Sequence, residues 1–256
     1  MKQNDQNKIN AMKSAGQALG TILQDLLKKA DVGVSLLDIE TQAMSEILAA
    51  GGTASFTTVA DYTWATCLCV NDVIVHGIPT EYVLKDGDLL TIDVGMFRDG
   101  FHTDTAWSKM IGEPKKDVFE FLDVGQRALW EAIAMARAGN RVGHITKAIQ
   151  DIVLPQGYGI VKSLVGHGVG KTLHEAPQIP GILKGKIENT PLLIEGMTIA
   201  LEVIYTMGSP QVVYVNDDGW SIGTKDGSLT SVFEHTVAIT DGDPLVLTRS
   251  AGSGLS

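Results

Sequence analysis

Four stretches of the chain place an acid inside a run that otherwise reads as a buried β-strand: Asp93 in LTIDVGMF, Asp104 in FHTDTAW, Glu202 in MTIALEVIY and Glu234 in TSVFEHTVAIT. An ionised carboxylate taken out of water is costly unless it is paired or holds a metal. A fold that accepts these strands must either leave each acid at an exposed sheet edge or bring the acids to a shared partner. Oxygen-rich clusters suit hard or borderline divalent ions, and an added imidazole favours Mn, Fe, Co or Zn over Ca.

Two of the acids share a hairpin. Arg98-Asp99-Gly100-Phe101 reads as a turn, because Asp-Gly supplies the two positive-φ residues of a type I′ loop. With Asp99-Gly100 as the loop, Arg98 faces Phe101 and Asp93 faces Ala106. Asp104 then becomes the diagonal neighbour of Asp93 on the same face, roughly 7–8 Å away. Two carboxylates held so repel and stay ionised only with a cation between them. A solvated sheet face or a pH-sensitive acid pair are the alternatives this segment leaves open.

The rest of the chain suggests a frame for that hairpin. Its 256 residues, 44% hydrophobic, suit a single α/β or α+β domain over residues 1–256. Residues 8–29 carry apolar positions at helical spacing, and Ser35 stands as an N-cap before LLDIETQAMSEILAA. Strands are expected at ATCLCV, DVIVHG, LLTIDVGMF and FHTDTAWSKM, with Pro114 ending this part. Helices follow at 117–138 and 145–153, then strands at YGIVKS, MTIALEVIY, QVVYV and SVFEHTVAIT. The order repeats itself, so halves of about 8–113 and 114–247 are expected, with 248–256 a tail frayed through RSAGSGLS. Local spacing agrees: His76-Gly-Ile-Pro79 answers His174-Glu-Ala-Pro177, and Gly87 precedes Asp93 by six residues as Gly196 precedes Glu202. Halves folded face to face would bring both sets to one cleft.

Charge and cysteines narrow the setting. A net charge of −10 counts against nucleic acid as a partner. Cys67 and Cys69 are two apart, too close for an unstrained bridge, so reduced thiols and a reducing compartment are expected. MKQNDQNKIN is polar, and no run approaches ~18 apolar residues. A soluble, cytoplasmic protein without membrane contact is the expectation.

GHGVGKTLHEAP supplies two histidines seven apart, His167 and His174. Its glycines argue for strand or loop around His167, the spacing is not that of HExxH, and no Gly-Lys-Ser/Thr follows for a phosphate loop. His102 and His235, beside the acids, are expected on the opposite face, and His144, near a helix start, is expected to be structural or exposed.

Taken together, NDVIVHGIP, DVGMFRDGFHTDTAW, GHGVGKTLHEAP, EGMTIALE and DGWSIGTKDGSLTSVFEHTVAIT resemble the type I methionine aminopeptidases, in order, from about residue 8 to 247. The resemblance implies an α+β, duplicated pita-bread fold: a central antiparallel sheet flanked by helices. It implies a single catalytic domain that uses two divalent metal ions to remove initiator methionine from nascent chains. On it, Asp93 chelates one metal, Asp104 and Glu234 bridge both, and His167 and Glu202 complete the other. A bridging water attacks the scissile carbonyl, and two cations lower its pKa and polarise the carbonyl. Glu202 is placed to shuttle the proton, His174 to bond the carbonyl oxygen, and His76 to contact the substrate backbone. The metal on Asp93 would also bind the free α-amino group.

The resemblance also implies a pocket for the first side chain. Tyr62, Cys67 and Trp220 match its lining, whereas Phe56 stands where cysteine is common, Val59 where tyrosine is common and Leu173 where phenylalanine is common. Val232 replaces a usual glutamine, and Pro180-Gly181 replaces a histidine or asparagine followed by an aromatic. Strict methionine preference is therefore an open expectation. The implied partners are N-terminal peptides of nascent proteins, with a transient ribosome contact and a monomeric enzyme; no zinc-finger or polybasic module for docking stands in the short N-terminal stretch. An Xaa-Pro-cleaving relative of the same fold and a non-catalytic binding module are the alternatives. The first would share HGVGKTLHEAP but not the short CLCVNDVIVHGIP form; the second predicts lost ligands, and none is lost.

Overall fold

The computed structural model describes residues 2–113 and 115–250. In chain order these form α1 (Gln3–Lys29), α2 (Leu36–Ala49), β1 (Thr53–Ala54), β2 (Thr66–Val70), β3 (Val73–Val75), β4 (Leu89–Arg98) and β5 (Phe101–Met110). After them come α3 (Lys116–Ala134), α4 (Val142–Val153), β6 (Gly159–Ile160), β7 (Val165–Gly168), β8 (Glu175–Pro180), β9 (Thr198–Thr206), β10 (Val212–Tyr214), β11 (Ile222–Thr224), β12 (Thr230–Ala238) and β13 (Leu245–Val246).

One antiparallel sheet runs β1-β4-β5-β12-β9-β7-β8, with β2 on β4, β6 on β9 and β13 on β12; a small sheet, β10-β11-β3, stands apart. The hairpin has the expected register, Arg98 opposite Phe101, Asp93 opposite Ala106 and Asp104 opposite Gly95. Its loop residues Asp99 and Gly100 have φ of 54° and 85°. Strand alternation sorts the two faces of the sheet. Leu90, Ile92, Val94, Leu201, Val203, Tyr205, Phe233 and Val237 join residues of all four helices in one core. The acids, one residue out of phase with these, take the other face.

Local signals explain the helix ends. Ser35 accepts from Asp38 N–H while the Asp38 carboxylate accepts from Ser35 N–H, a complete capping box. Lys109 Nζ donates to the Leu27 and Ala30 carbonyls and closes the end of α1. The start of α1 at Gln3 precedes its apolar stripe; side-chain bonds Gln3–Asn7 and Gln6–Asn10 support that extra turn. The second long helix ends four residues short of expectation, at Ala134. Of YGIVKS only Gly159–Ile160 pairs as strand.

Matched backbone bonds support the internal repeat. Gly33 N–H donates to Leu84 O and Gly139 N–H to Leu193 O; Leu36 N–H donates to Tyr82 O and Val142 N–H to Pro191 O; Gly87 N–H donates to Ile111 O and Gly196 N–H to Ile239 O. Gly87 and Gly196 share a φ of 91°. Between β5 and β12, where the halves meet, residues pair directly at Ala106–Glu234 and Thr105–His235. Hydroxyls complete the seam. Thr236 Oγ1 accepts from Asp104 N–H at 2.9 Å and donates to Asp104 O at 2.8 Å. Ser108 Oγ does the same with Val232 N–H and O, each at 3.0 Å.

Of the expected tail, the described residues 248–250 are held in place. Leu247, Thr248 and Ser250 are buried, Thr248 Oγ1 bonds His235 Nδ1 at 2.9 Å, and Arg249 lies over the Trp130 ring. The strap packs on α1 at Gly16 and Gly20, where a Cβ would collide with Leu247 and Thr248 backbone atoms. Pro114 and residues 251–256 lie outside the described residues.

Gly125 in α3 tests how closely the helix layer presses on the acid-bearing strands. A Cβ there would meet the Tyr205 hydroxyl of β9 and the Phe233 ring of β12. Gly125→Ala forgoes that close fit for a helix-propensity gain of ~1 kcal/mol. The strain should exceed the gain, with a net loss on the order of 1 kcal/mol. A lower denaturant midpoint with unchanged m-value is expected; a higher midpoint would show that α3 sits loosely.

Candidate active site

A cavity of about 600 Å³ opens on the acid face of the sheet, and all thirteen side chains singled out in the sequence line it. Asp93 projects from β4, Asp104 from β5, Glu202 from β9 and Glu234 from β12. Glu234 lies directly opposite Glu202 in the ladder, so the fold sets two acids side by side across one strand pair. His167 enters from β7, whose partner on β9 is Ala200, two residues from Glu202 and on the same face.

The floor of the cavity is a donor set. Ligand atoms of Asp104, His167 and Glu234 all lie within 4.8 Å of one another. Asp93 Oδ1, Asp104 Oδ1 and Glu234 Oε1 are buried without hydrogen-bond partners. Such orphaned oxygens are what a cation would satisfy. His167 Nδ1 stands 2.8 Å from Gly168 O, which can only accept, so Nδ1 carries the proton and Nε2 offers a lone pair. Nε2 faces Glu202 Oε1 at 3.6 Å. Burial pushes the His167 imidazole down to about 4, so it is neutral and able to ligate near neutral pH. Carboxylates with one neutral imidazole fit a borderline divalent ion.

Without a cation the acids oppose one another. Burial pushes the Asp93, Glu202 and Glu234 carboxyls well above the usual range, and neighbouring carboxylate charge adds to it. Asp104 is pushed up to about 7, again by burial. The charge of Asp104 is among the causes that hold the proton on Asp93.

Two histidines stand at the mouth. His174 lies in the loop after β7, its ring edge-on to His167 with centroids 4.5 Å apart. His76 follows β3 with φ of 58°, an uncommon backbone state for a residue other than glycine and one that favours functional positions. The turn is fixed by Leu68 N–H donating to Gly77 O at 2.7 Å.

One wall is apolar. Phe56, Val59, Tyr62, Cys67, Leu173 and Trp220 form it. Tyr62 meets Trp220 edge to face at 5.0 Å and Phe56 at 6.4 Å. The Tyr62 hydroxyl donates to Thr66 O at 2.8 Å. Trp220 is fixed by Asp218, whose carboxylate accepts from Trp220 and Ser221 N–H groups.

Sequence reasoning missed Val75, Gln178 and Ile204, which also line the cavity. Alternation could have found Ile204, two residues past Glu202 on one strand. It also corrects one expectation. His102 is two residues from Asp104 and shares its face, bonding Ser55 Oγ at 2.9 Å, whereas His235 turns to the helix side against Trp107 and Trp130. His144 is structural, accepting from Arg141 N–H at the start of α4.

The chain matches metallopeptidase family M24 over residues 10–241. A methionine aminopeptidase from Clostridium perfringens is 34% identical over 244 residues, spanning 95% of this chain and 97% of that protein. The crystal structure of a methionine aminopeptidase from Thermotoga maritima is similar with a TM-score of 0.91 and 36% identity, covering 95% of this chain and 97% of that one. A prolidase from Pyrococcus furiosus shares the fold alone, with a TM-score of 0.76 at 20% identity, and this chain spans 65% of it. The chain thus belongs to metallopeptidase family M24, whose members use divalent metal. Within that family it is a metalloaminopeptidase of the type I methionine aminopeptidase kind, with the pita-bread fold.

The raised carboxyls make a prediction for metal binding. In chelated protein an acid with a raised folded-state pKa contributes stability below about pH 4, lost as pH rises through about 7 for Asp104. An added divalent ion replaces those protons, so its stabilisation should grow with pH. The rise in Tm on adding Mn or Zn to chelated protein should be larger at about pH 8 than at about pH 5. Groups that do not touch the donor set titrate alike in both samples and cancel. A gain independent of pH would mean that these carboxyls do not hold the ion.

Proposed function

We propose that the chain removes methionine from the N-terminus of polypeptides, with two divalent ions (Mn, Fe, Co or Zn) held by Asp93, Asp104, His167, Glu202 and Glu234. The observation that carries this reading is the convergence of Asp104, His167 and Glu234 at the base of a cavity with an apolar wall. Bound there, the ions supply Lewis acidity that lowers the pKa of water and polarises a carbonyl.

The chain's own residues do the rest. The acid-rich floor attracts a peptide's α-ammonium group and favours a free N-terminus over an internal bond. Phe56, Val59, Tyr62, Cys67, Leu173 and Trp220 receive the first side chain. Methionine, unbranched and polarisable, adapts to such an irregular apolar pocket. Glu202 takes the attacking water's proton and returns it to the leaving amine. His174 donates a hydrogen bond to the carbonyl oxygen as it gains charge. His76 holds the backbone next to the scissile amide.

The protein works, in this reading, as a monomer in the cytoplasm that meets nascent chains transiently at the ribosome. Two free, buried cysteines suit a reducing compartment, and no helix among the described residues is long and apolar enough to cross a membrane. The whole site is built within one chain, including its small-sheet rim and its ligand strands.

His174→Ala should keep its metal, measured by elemental analysis, and lose about 100- to 1000-fold in kcat, the worth of one transition-state hydrogen bond. Loss of metal in that variant would make His174 a ligand. Substrate choice gives the decisive comparison. kcat/KM for Met-Ala-Ser should exceed that for Leu-Ala-Ser by only about 10- to 200-fold, since shape differences in an apolar pocket are worth ~1–3 kcal/mol. Ala-Pro-Ala should be the poorest of the three. If it is the best, cleavage is proline-directed; if nothing is cut with any of the four metals, the fold serves binding alone.

A further inference from the structure

Glu40 is a buried acid that the chemistry above leaves unused. It sits on the inner face of α2 and is 6% exposed. Its carboxylate accepts three hydrogen bonds from one short segment, 25 and 26 residues away along the chain. Oε1 accepts from Ala65 N–H at 2.6 Å, and Oε2 accepts from Thr66 N–H at 3.0 Å and from the Thr66 hydroxyl at 2.6 Å. Thr66 is the hub. Its carbonyl accepts from the Tyr62 hydroxyl at 2.8 Å, and that hydroxyl lies 3.3 Å from Cys67 Sγ. Tyr62 in turn packs edge to face on Trp220. Cys67 is paired in register with Asp93.

We propose that Glu40 is a positioning residue for the side-chain pocket: its carboxylate clamps the Ala65-Thr66 segment and thereby fixes Tyr62 and Cys67, and so the pocket's selectivity. The inference rests on the assignment of this apolar wall to the substrate's first side chain. Three donors converge on two oxygens, an arrangement that only an acceptor at both atoms satisfies. A buried segment with a Pro-free, non-helical approach to β2 has no ladder partner for Ala65 N–H; the carboxylate takes that place. The residue touches neither substrate nor ligands, so its effect reaches the reaction through the wall alone.

Glu40→Gln tests the clamp with nearly unchanged volume. One end of the amide would face an N–H donor with its own N–H, so one leg of the clamp must open. The expected result is a fall of about fivefold or more in the Met-Ala-Ser over Leu-Ala-Ser kcat/KM ratio, carried by KM, with kcat within about twofold and metal content unchanged. Glu40→Asp, which keeps the charge on a shorter stem, should recover part of the ratio. Cys67 and Cys69 are both buried, so thiol modification of the folded, metal-loaded protein gives a readout independent of catalysis. It should speed up in Glu40→Gln, and Cys67→Ser in the same background should remove the faster phase. If Glu40→Gln fails to fold, Thr66→Val removes one leg only and should shift the ratio and the thiol rate in the same direction by less. An unchanged substrate ratio with an unchanged thiol rate would overturn the proposal, as would an equal loss for both substrates through kcat. A faster Cys67 reaction in protein that cuts neither peptide would retain the clamp and instead overturn the assignment of the wall to a methionine side chain.

Discussion

Everything in this structure answers to the repulsion among four carboxylates gathered on one face of a sheet. Two like charges near 4 Å cost about 4 kcal/mol at an effective dielectric of 20. Glu202 and Glu234, directly opposite across β9 and β12, are an arrangement that destabilises a sheet on its own. The opposing force is on the other face, where four helices bury one continuous apolar core against the same strands. Alternation lets one set of strands do both: along each strand, residues of one phase bury against the helices and residues of the other phase carry the acids. The sheet is therefore held in place by its back so that its front can be electrostatically unfavourable until a cation arrives.

The seam between β5 and β12 shows how the front is spaced. Thr236 and Ser108 each insert a hydroxyl where a ladder bond would otherwise run, one at Asp104 and one at Val232. Each hydroxyl satisfies both a backbone donor and a backbone acceptor, so no buried polar group is stranded. The inserted hydroxyls flank the two directly paired positions, Ala106–Glu234 and Thr105–His235. The same device appears once in each half, facing opposite ways, as a duplicated chain folded about a pseudo-twofold would have it. The buried strap of Leu247, Thr248 and Ser250 reinforces this seam from behind, through Thr248 to His235 and Thr236.

Around the floor, the walls are built from parts far apart in sequence but fixed by short, local bonds. Asp218 holds Trp220, and Glu40 holds the segment before β2. The family places a metal-dependent hydrolysis on the floor; the walls decide what is presented to it. Phe56, Val59 and Leu173 pack together in the apolar wall beside the converging Asp104, His167 and Glu234.

The sequence by itself determined the elements that depend on near neighbours. The Asp99-Gly100 turn and its register, the Ser35 cap, the periods of helix and strand, and the sorting of acids from apolar residues along each strand all follow from residues a few positions apart. The five ligand candidates were legible because an acid amid apolar neighbours is anomalous in itself, and the family resemblance set them in order. What only the tertiary structure decided was which strand meets which. The sequence does not show that Thr236 bonds Asp104 across 132 positions, that Glu40 serves residues 65 and 66, or that Thr248 and Ser250 are buried. Each of these is a polar or small residue of ordinary local context. Its role is set by a partner that burial alone brings near, and a hydrogen bond of this kind carries no periodicity for a sequence to display.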